Sequence, residues 1–491
     1  MLIRQMRRGH GRSFYIGPMV FSSILFVAYF LPAFLVLYFL SPKSWKNAVA
    51  LIGSIAFYLW GEPRFGILVL LFLVVDYYLV RLLYYASANL KKILLGLVVS
   101  LNLANLLIFK YLNFFSANLH SLMQNLGSES DWLVQIALPI GISFISFQKI
   151  SYAVDVYRGR SEPMHRFVDY GLYILFFPQL IAGPIVRYNE IEQQIRDRQA
   201  QENSENRLRG LFRFVLGLSK KLIIANPLGA FVDEIFIALP QGIGSSLAWF
   251  GIIAYSLQIY FDFSAYSDMA IGIGRILGFR LPENFQFPYI ADSITDFWRR
   301  WHITLSSWMR DYLYIPLGGN KRSAQRTYLN LWLVFLLSGL WHGAAWTFVI
   351  WGIFHGAFLV IDRLGFRHFM ERFPRLLRVA WTYFLVLIGW VFFRAADLSE
   401  AGAYLAQMFN FSGPNTGIAP DPYQWCLLLI GIGFMLSGLY RPWEERFKEG
   451  YRLSQKTWLL GLQSLGILLL GLWCVVELFA SDFNPFIYFR F

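Results

Sequence analysis

Long, unbroken apolar runs separated by short polar breaks dominate the chain. FSSILFVAYFLPAFLVLYFL (21–40) and FGILVLLFLVVDYYLVRLLYYA (65–86) are followed by similar runs near 93–113, 132–150, 168–187, 210–226, 245–262, 328–341, 343–362, 379–394, 422–440 and 457–480. At 1.5 Å per residue, runs of this kind are about long enough to cross ~30 Å of hydrocarbon. Continuous rather than alternating hydrophobicity predicts helices, not the strands of a closed barrel. The pattern therefore predicts an all-α integral membrane protein of about ten to twelve transmembrane helices. Residues 19–491 read as a single membrane domain, since no polar stretch is long enough to build a separate core. Residues 1–18 are basic and polar, and lack the small-residue cleavage site of a signal peptide. They form a leader, or else precede a true start at Met19.

Three polar interruptions stand out. RYNEIEQQIRDRQAQENSENRLR (187–209) has the charge pattern of a partly helical loop, and FNFSGPNTGIAPDPYQ (409–424) that of an exposed one. The third, FWRRWHITLSSWMRDYLYIPLGGN (297–320), mixes aromatic rings with arginines inside an apolar chain. Ser293 and Asp296 give it a helix-start signature. Phe297, Trp301, Leu305, Trp308 and Tyr312 then recur at helical spacing, with Arg299, Ser306 and Arg310 on another face. Each arginine at mid-bilayer costs roughly 2.5–3.5 kcal/mol, so this helix cannot cross lipid fully exposed. It lies at the interface, or enters partway as a re-entrant element buried in protein.

Composition agrees with the pattern: 57% hydrophobic, 15% charged, mean hydropathy +0.47. The net charge of +13 falls mostly in loops, such as Arg196, Arg198, Arg207 and Arg209, or Arg363, Arg367, Arg372, Arg375 and Arg378. That is the signature of cytoplasmic loops beside anionic lipid, and it removes the usual reason to invoke nucleic acid. Cys426 and Cys474 sit inside apolar runs without metal-ligand spacing.

The candidate chemistry lies in a few polar side chains at membrane depth. His342 sits in a Gly-flanked break in SGLWHGAAWTFVIWGIFHG (338–356), where Gly339 and Gly343 leave room for a ligand beside the ring. His302, across a loop, can converge on it. His355, thirteen residues on, reads as a helix-to-helix hydrogen bond about 20 Å from His342 on a continuous helix. No HExxH, HxxxH or Cys cluster accompanies these histidines, so no metal site is expected. In QIYFDFSAYSDMAIGIG (258–274), Asp262 and Asp268 are too far apart to share a helical face and are expected to line a wet cavity. LIAGPIVRY (180–188) reads as a helix end or as ligand binding through Arg187.

Taken in order, several segments resemble the membrane-bound O-acyltransferase superfamily, in its bacterial branch of alginate O-acetylase and peptidoglycan O-acetyltransferase. They are MVFSS (19–23), LPIGISF (138–144), ISYAVDVYRG (150–159), FFPQLIAGPIVR (176–187), YFDFSAYSDMAIGIG (260–274), ENFQFPY (283–289), the aromatic–arginine segment, the WHG stretch and NPFIYFRF (484–491). The resemblance implies a multi-pass helical ring around a central funnel with re-entrant or interfacial helices, in the inner or plasma membrane. It implies that His342 is catalytic and that His302 helps to form the site. It further implies an acetyl donor, acetyl-CoA or a group derived from it, used as a co-substrate with no cofactor held permanently. The acceptor would be an extracytoplasmic polysaccharide, reached with a periplasmic or surface SGNH-type partner. LGGN (317–320) resembles the polysaccharide-modifying branch, and a D-alanyl-transferring relative is expected to lack it.

In such a reaction a neutral histidine takes a hydroxyl proton as the oxygen attacks a thioester, worth roughly 10²–10⁴-fold, and burial keeps an imidazole neutral. His302 orients the acceptor or supports the oxyanion. Arg299, Arg300 and Arg310 meet the donor's phosphates or lipid headgroups, with Trp341, Asp262 and Asp268 as further candidates for binding donor or acceptor. A polysaccharide exporter using the histidines as a proton relay, and a transferase of another acyl group such as D-alanine, are the rival readings.

Overall fold

The computed structural model describes residues 19–127, 133–411, 417–440, 456–480 and 486–487. Among these residues there are helices and no strands. In chain order the first are α1 (Leu25–Leu40), α2 (Lys46–Gly61), α3 (Pro63–Tyr85), α4 (Ala88–Asn125) and α5 (Ile142–Tyr157). They are followed by α6 (Phe167–Leu175), α7 (Phe177–Leu180), α8 (Tyr188–Arg196), α9 (Ser204–Gln241), α10 (Gly244–Ile276), α11 (Ile294–Arg300) and α12 (Ile303–Met309). The chain continues with α13 (Ala324–His342), α14 (Trp346–Met370), α15 (Arg375–Arg394), α16 (Leu398–Met408), α17 (Pro422–Ser437) and α18 (Thr457–Ala480).

Among the described residues, six helices (α3, α4, α9, α14, α15 and α18) are long and apolar enough to span a bilayer, and α1 and α17 are shorter apolar helices. The predicted runs differ from these elements in several places, α16 among them, which lies between the runs at 379–394 and 422–440. The helix at 46–61 likewise falls outside every predicted run, because Lys46, Asn47 and Ser54 interrupt its apolar pattern. The run at 132–150 becomes helical only from Ile142. The run at 168–187 is broken, since Pro178 opens a separate short turn and the chain leaves it at Gly183–Pro184.

The core is built on one long helix. The 33-residue α10 has side chains buried along nearly all its length, and α9 lies against it. A Cβ on Gly210 would meet the Gly272 carbonyl oxygen at 2.6 Å, so only glycine lets these two helices approach so closely. Met19, Val20 and Phe21 are part of this core, with Phe21 stacked on Tyr266 at 4.6 Å. At the periphery, Cys474 is the one buried side chain of α18, whose apolar faces are those of a lipid-facing helix.

The basic loops converge on one end of the molecule. Lys43 Nζ donates to Gln199 (2.9 Å), Arg280 N donates to Gln194 (2.6 Å), and Arg187 pairs with Asp311. The 187–209 stretch is partly helical as expected, with Glu190 accepting from Arg187 N (3.0 Å) at the start of α8. Most of the 484–491 segment and residues 1–18 lie outside the described residues, and so do residues 412–416 of the loop before α17.

Candidate active site

The aromatic–arginine segment enters the protein and turns back. At its basic end Asp292 pairs with Arg378 (2.9 Å) and Thr295 N donates to Asp362 (3.0 Å). Helix α11 then starts at Ser293, whose hydroxyl accepts from Asp296 N (3.1 Å). At its far end Trp301 lies against Trp390, ring centres 4.9 Å apart. Arg378 and Trp390 are twelve residues apart on α15 (390 − 378), about 18 Å of rise. The chain returns along α12 to Arg310 and Asp311, where Arg187 waits. Of the two placements open to this segment, the burial of Phe297, Trp298, Trp301 and His302 in protein fits the re-entrant one.

His302 is the turning point. Its backbone is left-handed (φ 44°, ψ 53°), unusual for a residue with a Cβ and worth roughly 1–3 kcal/mol of strain. Asn284 holds the turn from outside: its carbonyl oxygen accepts from Ile303 N (2.9 Å), and its Oδ1 accepts from Thr304 N (3.3 Å) and Thr304 Oγ1 (2.9 Å). The same Oδ1 lies 3.0 Å from His302 Nδ1. Ile185 N donates to Thr304 Oγ1 (3.0 Å), so the 180–188 island supports the turn, while its Arg187 belongs to the ion pairs at the basic end.

His342 ends α13. The next residue, Gly343, is extended, and α14 begins at Trp346. The last carbonyls of α13, orphaned like those of any helix end, are satisfied from α4: Lys110 Nζ donates to Trp341 O and Tyr111 OH to Leu340 O (2.9 Å). Trp346 Nε1 donates to Asn118 (2.9 Å), tying the start of α14 to the same helix. The glycines here serve packing. A Cβ on Gly339 would come within 3.0 Å of Gly352 Cα, and Phe348 fills the space that a Cβ on Gly343 would take. The expected room for a ligand at these glycines is occupied.

The two histidine rings meet, with centres 6.4 Å apart, and both are buried. Trp341 (4.9 Å), Trp351 (5.0 Å) and Phe393 (5.3 Å) close around His342, and Phe263 (4.8 Å) packs on His302. His355 accepts from Trp298 Nε1 (3.4 Å), the interhelical bond expected of it. The His342 and His355 rings are not about 20 Å apart, however, because the chain folds back after His342, and Trp351 touches both rings (5.0 and 4.9 Å).

A cavity of about 440 Å³ lies beside the re-entrant segment, lined by Arg299, Arg310 and Arg363 together with Trp298 and Ser306. It reaches Ile303, next to His302, and Ser338, one helical turn before His342. Among the described residues, Arg299 and Arg363 form no ion pair. Arg310 shares Asp311 with Arg187. Burial pushes the Asp311 carboxyl up, but these two guanidiniums outweigh it and hold the group below the usual carboxylate value.

Other candidates sit elsewhere. Arg300 turns away to Asp296 (2.8 Å) and the Gln286 carbonyl. Trp341 packs between Phe144 (5.6 Å) and Phe147 (5.3 Å), outside the cavity lining. Asp262 is buried against Lys221 (2.5 Å), and Asp268 against Lys220 (2.6 Å) and Arg213 (2.8 Å), so both are ion-paired instead of lining a wet cavity. A buried carboxylate needs such a partner, and the Lys220–Lys221 pair inside an apolar run was the available signal. Asn284, Lys110, Tyr111 and Arg363 are parts of the site that sequence reasoning missed. In LGGN, Gly318 and Gly319 have positive φ, and Asn330 Nδ2 binds the Gly319 carbonyl (3.1 Å), closing the turn before α13.

Residues 94–396 match the model of the membrane-bound O-acyltransferase family. A probable alginate O-acetylase of Pseudomonas putida is 39% identical over 96% of this chain and its own full length. Its counterpart in Pseudomonas aeruginosa is 44% identical over 80% of this chain and 75% of its own. A peptidoglycan O-acetyltransferase of Helicobacter pylori is 34% identical over 96% and 98%, and a teichoic acid D-alanyltransferase of Bacillus subtilis is 29% identical over 51% and 65%.

Proposed function

The chain belongs to the membrane-bound O-acyltransferase family, and on that premise we propose that it moves acetyl groups across a bacterial inner membrane for O-acetylation of an extracytoplasmic polysaccharide. The O-acetylating relatives, at 34–44% identity over most of the chain, support acetyl transfer over D-alanyl transfer, whose representative matches half of it at 29%. The basic end faces the cytoplasm, as the excess of Arg and Lys in its loops requires.

One observation carries the reading: His302 and His342, from separate elements, converge with ring centres 6.4 Å apart, and an arginine-lined cavity reaches Ile303 and Ser338 on the same two elements. The donor is acetyl-CoA or a thioester made from it. Arg299, Arg310 and Arg363 suit its phosphates, since guanidinium forks match phosphate oxygens. At the histidines an acceptor hydroxyl oxygen attacks the thioester carbonyl, a histidine takes the hydroxyl proton, and the C–S bond breaks to release the thiolate, which is reprotonated. A partner of the SGNH type on the outer side passes the acetyl group to the sugar.

His342→Ala tests this in cells that depend on the chain for polymer acetylation. Polymer is expected outside the cell in normal amount with its acetyl ester lost. Polymer accumulating inside would favour an exporter, and retained ester would refute the role of His342.

A further inference from the structure

We infer that Asn284 is a positioning residue that fixes the tautomer of His302, with hydrogen on Nδ1 and the lone pair on Nε2, so that His302 accepts the hydrogen of the attacking hydroxyl and does not donate to the oxyanion. The hydroxyl-accepting role rests on the transferase reading above; the tautomer itself does not.

The orientation of the Asn284 amide follows from its neighbours. Thr304 N–H can only donate, and it points at Oδ1 (3.3 Å). Thr304 Oγ1 already accepts from Ile185 N–H (3.0 Å), so its own hydrogen goes to Oδ1 (2.9 Å). On the other side, Nδ2 donates to Ser267 Oγ (3.2 Å). The amide atom 3.0 Å from His302 Nδ1 is therefore an acceptor, and Nδ1 must carry the hydrogen. A neutral imidazole has one N–H, which leaves Nε2 with a lone pair and nothing to donate. Asn284 also holds the backbone on either side of this contact through Ile303 N (2.9 Å) and Thr304 N. One residue thus sets the ring's position, its strained turn and its hydrogen.

The test uses the full-length protein in detergent, labelled with ¹⁵N-histidine. The His302 signals are assigned by their loss in His302→Gln. Nδ1 is expected at a protonated-nitrogen shift and Nε2 at a lone-pair shift; the reverse pattern overturns the inference. Asn284→Leu should lower acetyl transfer from acetyl-CoA at least tenfold, and wild-type transfer would overturn the positioning role. Should that variant fail to fold, Asn284→Asp decides. It keeps the acceptor and adds a negative charge that favours the imidazolium, so the acid limb of the pH–rate profile moves to higher pH. A merely structural residue would leave that limb in place, which counts against the inference. Finding the expected tautomer while His342→Ala accumulates polymer inside the cell would sink the hydroxyl-accepting role along with the transferase reading, and leave the Asn284 anchor standing.

Discussion

Replacing Lys110 with methionine separates the placement of His342 from the stability of the fold. Lys110 Nζ binds the Trp341 carbonyl, one residue before His342, and Tyr111 binds the preceding carbonyl. A hydrogen bond to a charged group is worth about 1.5–3 kcal/mol net, and a cation at a helix C-terminus gains about 0.3–1 kcal/mol more from the dipole. Against this, Lys110 is only 8% exposed, and a buried ammonium carries a desolvation penalty that methionine removes. Global stability should therefore change by no more than about 1 kcal/mol, while the last turn of α13 loses about 2 kcal/mol of restraint on its carbonyl. If that restraint is what holds the ring in reacting position, transfer falls roughly thirtyfold at 1.36 kcal/mol per tenfold. Tyr111→Phe removes a neutral bond of about 1 kcal/mol and should cost roughly fivefold. Because both act on adjacent carbonyls, the double variant should lose less than the sum. Acetyl ester content of exported polymer, read alongside the unfolding temperature in detergent, measures both quantities. Wild-type transfer by Lys110→Met, or a loss of transfer that merely tracks a loss of folded protein, would refute the reasoning.

Three further outcomes follow from the same geometry. Arg299→Gln and Arg310→Gln should each raise KM for acetyl-CoA about tenfold with kcat little changed, as loss of ground-state binding does; an effect confined to kcat would argue against phosphate contact. Lys221→Met leaves Asp262 buried without its ammonium and should destabilise the protein by about 3–5 kcal/mol, with Lys221→Met/Asp262→Leu regaining much of it, read as folded yield and unfolding temperature. Gly352→Val places atoms within 2.5 Å of the Phe335 carbonyl oxygen and 3.2 Å of Gly339 Cα, and should lower stability by about 1–3 kcal/mol while reducing transfer, since it pries α14 from the helix that carries His342.

The fold was legible where lipid is the solvent and obscure where protein is. Runs such as 65–86 and 457–480 announce themselves because a lipid-facing helix must be apolar all round. Helix α2 was missed because its polar residues are satisfied internally: Ser54 donates to Ala50 O (2.7 Å) and accepts from Phe177 N (3.1 Å). The 168–187 run misled because hydrophobicity does not reveal that Pro178 and Pro184 break it inside the protein. At the site, His302 and His342 could be found because an ionisable ring in an apolar chain needs a reason. Asn284 and Lys110 could not, because their roles depend on partners brought together only by the fold. Lys110 and the Trp341 carbonyl are 231 residues apart.

Charge pairing distinguishes frame from site, a distinction composition hides. Lys149 lies against Asp76 (2.7 Å), Lys221 against Asp262 and Lys220 against Asp268, each pair deep in the protein. These charges satisfy one another and hold helices together. Lys110 is answered by the Trp341 carbonyl at the end of α13, which makes it part of the support for His342. Arg299 and Arg363 differ: they line a cavity of about 440 Å³ and form no ion pair among the described residues. Two guanidiniums lining one cavity repel each other. Folding alone gives no reason to keep that arrangement. An anionic ligand does, because it turns the repulsion into binding, and the cavity leads from those arginines to Ile303 and Ser338, the neighbours of the two histidines.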